Sequence, residues 1–157
     1  MKFLADGMLG KLTRWLRMQG CDVKYYKDLE DEELIKIAKE ETRVLLTRDV
    51  QLYRHAIAEH AQVYLVKCST EIERLAEVAQ QFNLNLEIDV NNSRCPKCNA
   101  KLEPISKNKV MDKVPKATLR FFDDYWVCSD CGQVYWQGSH WQKIKQKLNE
   151  VKHLIEN

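Results

Sequence analysis

"CPKCN", residues 95 to 99, is followed by "CSDCG", residues 128 to 132, with 29 residues between the inner cysteines. Two CxxC pairs supply four soft thiolates, Cys95, Cys98, Cys128 and Cys131, the donor set of a tetrahedral Zn²⁺ site. Four thiolates leave no open coordination position, so the zinc expected here is structural. Asn99 and Gly132 follow the two pairs, and both residue types tolerate the left-handed backbone of a tight knuckle turn. Residues 94–157 are therefore expected to form a small zinc ribbon that draws much of its stability from the metal, because it is too short to build a core of its own. Disulfide pairing is the competing reading. It fits poorly with an N-terminus that shows no basic, apolar and small-residue pattern of a secretory signal, and a reducing, cytoplasmic setting is expected. Cys21 and Cys68 stand alone beside apolar neighbours and read as buried small hydrophobes.

Residues 1–93 have a different pattern. Short β-rich runs at Lys2–Ala5, 22–26, 44–46 and 63–66 alternate with helix-like stretches. Leu9, Leu12 and Leu16 share one face of a first helix, with Gly20 as its stop. Leu34, Ile37 and Ala38 line a second, and Leu52 and Ala56 with Ala58 or Ile57 a third. Ile72, Leu75, Ala76, Ala79 and Phe82 line a fourth. Strands alternating with helices over short connections predict an α/β fold with a central parallel sheet covered on both faces. At 157 residues and 45% hydrophobic the chain can bury a sizeable core. Its apolar runs all fall short of the roughly 20 residues that span a bilayer, and no membrane association is expected.

Four acids fall where such a sheet ends. Asp6 follows the first strand, Asp28 and Asp31 lie between the second strand and its helix, and Asp49 closes "RVLLTRD" after the third. Ligands of open α/β sheets bind at the carboxyl ends of the strands, where strand order reverses. Asp is also a favoured helix N-cap, and each acid taken singly fits that role. Several carboxylates on one edge repel unless cations compensate, and a divalent ion held by carboxylates and water is the usual compensation. Mg²⁺ or Mn²⁺ in such a site suits phosphodiester hydrolysis. The chain has no GxGxxG or P-loop, and no Ser-His-Asp or Cys-His arrangement stands out.

The charge is uneven. Residues 1–93 carry 13 Lys+Arg and 16 Asp+Glu, net −3, whereas residues 94–157 carry 12 and 7, net +5. The positive portion includes Lys113, Lys116 and Arg120 spaced among apolar residues, then Tyr135, Trp136, His140 and Trp141 ahead of a basic helix. Cations that neutralise phosphates, interleaved with rings on which bases stack, suit single-stranded RNA. Packing against the α/β domain is the expected role of at least two of Trp126, Trp136 and Trp141.

Together, "FLADGMLGKLTRWLRMQGCDV", "DEELIKIAKEETRVLLTRD", "RCPKCNAKL" and "VYWQGSHW" closely resemble the Mut-seven C-terminal RNase family, PIN-like nucleases that carry a zinc ribbon. The resemblance runs in order over nearly the whole chain. It implies a PIN-like three-layer domain over residues 1–93, a ribbon over 94–157, and RNA as substrate. It places the family's Mg²⁺- or Mn²⁺-binding acids on Asp6, Asp31 and Asp49, with Asp28 and Glu32 as alternatives to Asp31 and with Thr47 supporting Asp49 by a hydrogen bond. Glu71 is the nearest residue to a fourth acidic position. Lys11, Arg14 and Arg48 are expected to contact phosphates near the cut, with Lys113, Lys116, Arg120 and His140 holding the strand. A non-catalytic RNA-binding adapter and a protein-interaction ribbon remain as alternatives, since a fold alone does not establish activity.

Overall fold

The computed structural model describes all 157 residues. Four parallel strands, β1 (Lys2–Ala5), β2 (Asp22–Tyr25), β3 (Val44–Thr47) and β4 (Val63–Leu65), form a sheet in the order β2-β1-β3-β4. Between and after them run α1 (Gly10–Met18), α2 (Asp31–Glu40), α3 (Val50–Ala58) and α4 (Glu71–Gln81). The period-two alternation of the strands sorts the core into two layers. Phe3, Ala5, Val23 and Leu46 face Leu12, Leu16, Leu75 and Val78 of α1 and α4. Leu4 and Leu45 face Leu34, Ile35, Ala38, Leu52 and Ala56 of α2 and α3. The predicted α/β architecture with a covered parallel sheet is the one observed.

Two details of the reading are corrected. Ile57 is half exposed and Ala58 is exposed, because α3 is short and buries only Leu52 and Ala56, one turn apart. Cys68 is half-buried rather than part of a core, since it lies in the loop after β4 that the Glu77 carboxylate ties down through the amides of Lys67 and Cys68. The Gly20 stop holds: its φ is +92°, and a Cβ there would lie 2.9 Å from the Asn92 carbonyl, where the returning chain crosses.

The second portion forms an antiparallel sheet of β5 (Leu102–Ile105), β6 (Tyr125–Cys128) and β7 (Val134–Tyr135), with the short helix α5 (Lys116–Phe121) inserted before β6. A long final helix, α6 (Ser139–Glu156), returns to the α/β layers, where Leu148 and Val151 join the same cluster as α1 and α4.

The ribbon is tied to the α/β layers by specific bonds. Ser93 Oγ donates to the Met18 carbonyl at 2.6 Å, and the Arg94 amide donates to the Arg17 carbonyl at 2.8 Å, both at the end of α1. Arg17 itself is buried and bridges two units: its Nε donates to the Val23 carbonyl and its Nη1 to the Pro96 carbonyl. Asn99 accepts the Val23 amide at 2.9 Å and donates to Asp22 Oδ1 at 2.7 Å. Arg43, also buried, donates to the Phe3 and Asp22 carbonyls and to the carboxylates of Asp22 and Glu41. These pairs pin the amino ends of the strands and leave the opposite edge free for other chemistry.

Candidate functional site

From β1 the chain moves to β2 on one side and then to β3 on the other, so the switch point of the sheet lies between β1 and β3. Asp6 stands there, its amide donating to the Leu46 carbonyl and extending the β1–β3 ladder by one bond. Asp6 is 6% exposed, and its carboxylate takes part in none of the chain's ion pairs. Two neutral donors satisfy it. The Met8 amide reaches Oδ1 at 3.0 Å, and the fully buried Thr47 hydroxyl donates to Oδ2.

Thr47 makes the expected hydrogen bond to Asp49 and a second one. Its hydroxyl accepts the backbone amide of Asp49 at 3.0 Å and donates to the Asp6 carboxylate, so it joins the two acids. Asp49 is the N-cap of α3: Oδ1 accepts the amides of Gln51 and Leu52 at 2.8 and 3.4 Å. Capping thus occupies one oxygen of an exposed carboxylate and leaves the other. Asp31 caps nothing. It is the exposed first residue of α2, whose N-cap is Glu30 with no side-chain cap bond.

The turn that carries Asp6 is held tightly. A Cβ on Gly7 would lie 2.2 Å from the Lys27 carbonyl, so only glycine lets this turn approach the loop after β2. The Tyr25 hydroxyl donates to the Gly7 carbonyl at 2.9 Å. Lys11 and Arg14 are exposed on α1. Arg48 is half-buried and its Nη1 donates to the Cys68 carbonyl, which also accepts from Arg74. Glu71 accepts the Trp15 indole N–H at 2.6 Å and so fastens α4 to α1.

In the ribbon, the donor sulfurs of Cys95, Cys98, Cys128 and Cys131 all lie within 4.8 Å of one another, and the three aspartates do not form such a group. Cys95 and Cys131 Sγ are 3.8 Å apart and Cys98 and Cys128 Sγ 3.3 Å. A tetrahedron with zinc–sulfur bonds of about 2.3 Å has edges of about 3.8 Å, so the cluster fits a metal such as zinc. Asn99 and Gly132 take φ of +79° and +76°, the left-handed backbone expected of the knuckles. Burial, with the neighbouring thiols, pushes Cys98 up to about 12. Burial would also raise Cys128, but amide donors from Cys131 and Asp130 and the adjoining thiols overcome it and bring Cys128 to about 7. The Tyr135 hydroxyl lies 3.0 Å from Cys95 Sγ.

The family model of the Mut7-C RNAse domain matches residues 1–148. The chain belongs to this family. The match takes in both the acidic edge and the four cysteines. No curated protein and no solved structure matches the chain. Membership of the Mut7-C family points to a ribonuclease-type hydrolase with RNA as substrate.

Among the residues expected to hold RNA, Lys113, Lys116 and Arg120 are exposed on and before α5, and His140 is exposed in the first turn of α6. Sequence reasoning missed Arg17 and Asn99, whose partners are 79 and 76 residues away. It also missed the docking of α6, although Ile144, Leu148, Val151 and Ile155 repeat at a helical spacing that carried the signal.

Proposed function

We propose that this Mut7-C protein is a metal-dependent ribonuclease whose 1–93 portion cuts RNA and whose 94–157 portion, held by zinc, grips the strand. The observation that carries the reading is Asp6, a buried carboxylate without a cationic partner at the switch point of the sheet, joined through Thr47 to Asp49. Buried charges are paired or coordinate metals. The donors are hard carboxylate oxygens, which fit Mg²⁺ or Mn²⁺ rather than a soft metal.

Asp6, Asp31 and Asp49 would hold the cation. When bound, such a cation supplies Lewis-acid polarisation of the phosphodiester and activates water at neutral pH. Thr47 and the Met8 amide fix the Asp6 oxygens, and the α3 amides fix one oxygen of Asp49, so these two acids, though not Asp31, are held in place before substrate arrives. Lys11 and Arg14 neutralise phosphates beside the cut. Arg48 does so less readily, with one nitrogen committed to Cys68. Farther along the strand, Lys113, Lys116, Arg120 and His140 supply the grip.

Cleavage of end-labelled single-stranded RNA by zinc-loaded protein tests this reading, with Mg²⁺, Mn²⁺ or neither. Cutting that needs the cation and is lost in Asp6→Asn, Asp31→Asn and Asp49→Asn is the expected result. Binding without cutting by wild-type protein, across several RNAs and both cations, would overturn it in favour of the adapter.

A further inference from the structure

Between the ribbon and the start of α6 lies a cavity of about 630 Å³, whose walls include Phe122, Trp126, Tyr135, Trp136 and Trp141. We propose that it holds one unpaired base of an RNA strand, stacked on Trp141, with the adjoining phosphate met by Arg94 and His140. The proposal rests on the ribonuclease reading for its substrate class and adds the place where the strand is anchored.

Three observations point to a base. Trp141 stands outside the cores that hold the other two ribbon tryptophans. Trp136 packs with Val110, Val114, Tyr125 and Val134, and Trp126 packs against Cys95, Leu102 and Cys128 with its indole N–H on Asn91. Two tryptophans therefore pack, but within the ribbon's own clusters rather than against the α/β domain as expected. Trp141 belongs to none of the hydrophobic clusters, is half-buried, and has Lys145 Nζ 6.0 Å from its ring centroid. A ring that lines a cavity without packing into a core leaves a face on which a base can stack.

The cavity is also suited to an anion. Arg94 and His140 are in its wall and no Asp or Glu is. The residues that build most of it, 94–157, carry net charge +5. The wall includes Gly138, Ser139 and His140, where α6 begins without a side-chain cap and without an acid in its first turn. Gly138 is needed there, since a Cβ would lie 2.9 Å from Trp136 Nε1.

Size and position agree with this. Small-molecule sites commonly measure about 300–1,000 Å³, room enough for a purine and its sugar. Thr118 of α5 lines the same cavity, so the helix that carries Lys116 and Arg120 adjoins it. A strand anchored here therefore meets cations already expected to touch phosphate.

The test is an anisotropy titration of a fluorescein-labelled oligoadenylate into full-length zinc-loaded protein, without added Mg²⁺ or Mn²⁺. A series of the same oligonucleotide carries one abasic position at each site in turn. Stacking of one base is commonly worth about a ten-fold change in affinity or more. Trp141→Ala is expected to weaken binding by about that factor, with Trp141→Phe close to wild type. One abasic position should weaken wild-type binding similarly and leave Trp141→Ala binding unchanged. Binding by Trp141→Ala within two-fold of wild type, or an abasic effect equal in both proteins, would overturn the proposal and leave the cavity to packing or a protein partner. Cleavage assays on the same proteins keep the two readings apart. Cutting with base-independent binding removes the anchor alone, whereas base-dependent binding with no cutting in either cation removes the ribonuclease reading and keeps the anchor.

Discussion

Replacing Thr47 with Val removes one hydroxyl and nearly preserves the side-chain shape. The hydroxyl sits in a fully buried position, donates to Asp6 Oδ2 and accepts the Asp49 amide at 3.0 Å. A hydrogen bond to a charged group contributes roughly 1.5–3 kcal/mol, and one between neutral groups roughly 0.5–1.5 kcal/mol. Losing both leaves the Asp6 carboxylate with the Met8 amide as its one remaining donor. The expected cost is about 3 kcal/mol, and a chain of this size loses about 2–4 °C in Tm per kcal/mol, giving a drop of ~6–12 °C. Thr47→Ser keeps the hydroxyl and deletes a methyl, which costs about 1 kcal/mol. Urea unfolding of the zinc-loaded proteins at pH 7 measures both, and RNA cleavage on the same samples reads the acid edge. Val should reduce cleavage more than Ser does, because Val alone frees Asp6 from Asp49. A Val variant within about 0.5 kcal/mol of wild type, or one no worse than Ser, would refute the bridge.

Asp22 gives the chain a pH dependence. Burial alone would raise its carboxyl, but hydrogen bonds from Arg43 at 2.9 Å and Asn99 at 2.7 Å outweigh it and hold it at about 2, against 3.8 unperturbed. The unfolded chain takes up the proton first, so this stabilisation is complete above the unfolded value and is lost as the pH falls through about 2. Asp22→Asn should cost roughly 2 kcal/mol at pH 7, with the gap to wild type shrinking between about pH 5 and 2 in urea unfolding; a pH-independent gap would refute it. Metal analysis should find one zinc bound by the four cysteines, and its removal by a strong chelator should abolish the near-UV circular dichroism of Trp126 and Trp136; an unchanged spectrum would rule out a structural metal. Leu148→Ala should destabilise the whole chain by about 2–4 kcal/mol in equilibrium unfolding, and a cost below about 1 kcal/mol would mean that α6 contributes little to the α/β core.

Local signals were legible where local physics decides. β1 begins and ends where the sequence placed it, at Lys2–Ala5, because an apolar run stops at a carboxylate. Gly20, Asn99 and Gly132 adopt the left-handed backbone their residue types permit. Ile57 was misjudged because it adjoins Ala56 in sequence yet lies about 100° further around α3, beyond the sheet's cover. The Thr47–Asp6 bond was out of reach, since it depends on the register of β1 against β3, which pairs residues 41 apart. Arg17 is buried because the ribbon returns past α1 and brings the Pro96 carbonyl to it, a contact between residues 79 apart that no local pattern encodes.

That return couples the cysteine cluster to the sheet. β2 is an edge strand, and its outward groups at Val23 would otherwise be open to pairing with another chain. The Val23 amide is met by Asn99 and its carbonyl by Arg17, which also holds the Pro96 carbonyl. Pro96 lies inside the first knuckle and Asn99 directly after it, so the turn that gathers Cys95 and Cys98 also closes the sheet edge. α1 is the common support: Lys11 and Arg14 lie on it, its end holds Ser93 and Arg94, and Met18 lines the aromatic cavity. An RNA strand reaching from that cavity to Asp6 would therefore run along one helix to which both portions are bonded. Loosening the knuckle by Asn99→Ala should misplace the strand relative to the acids, lowering cleavage more than binding although Asn99 touches neither.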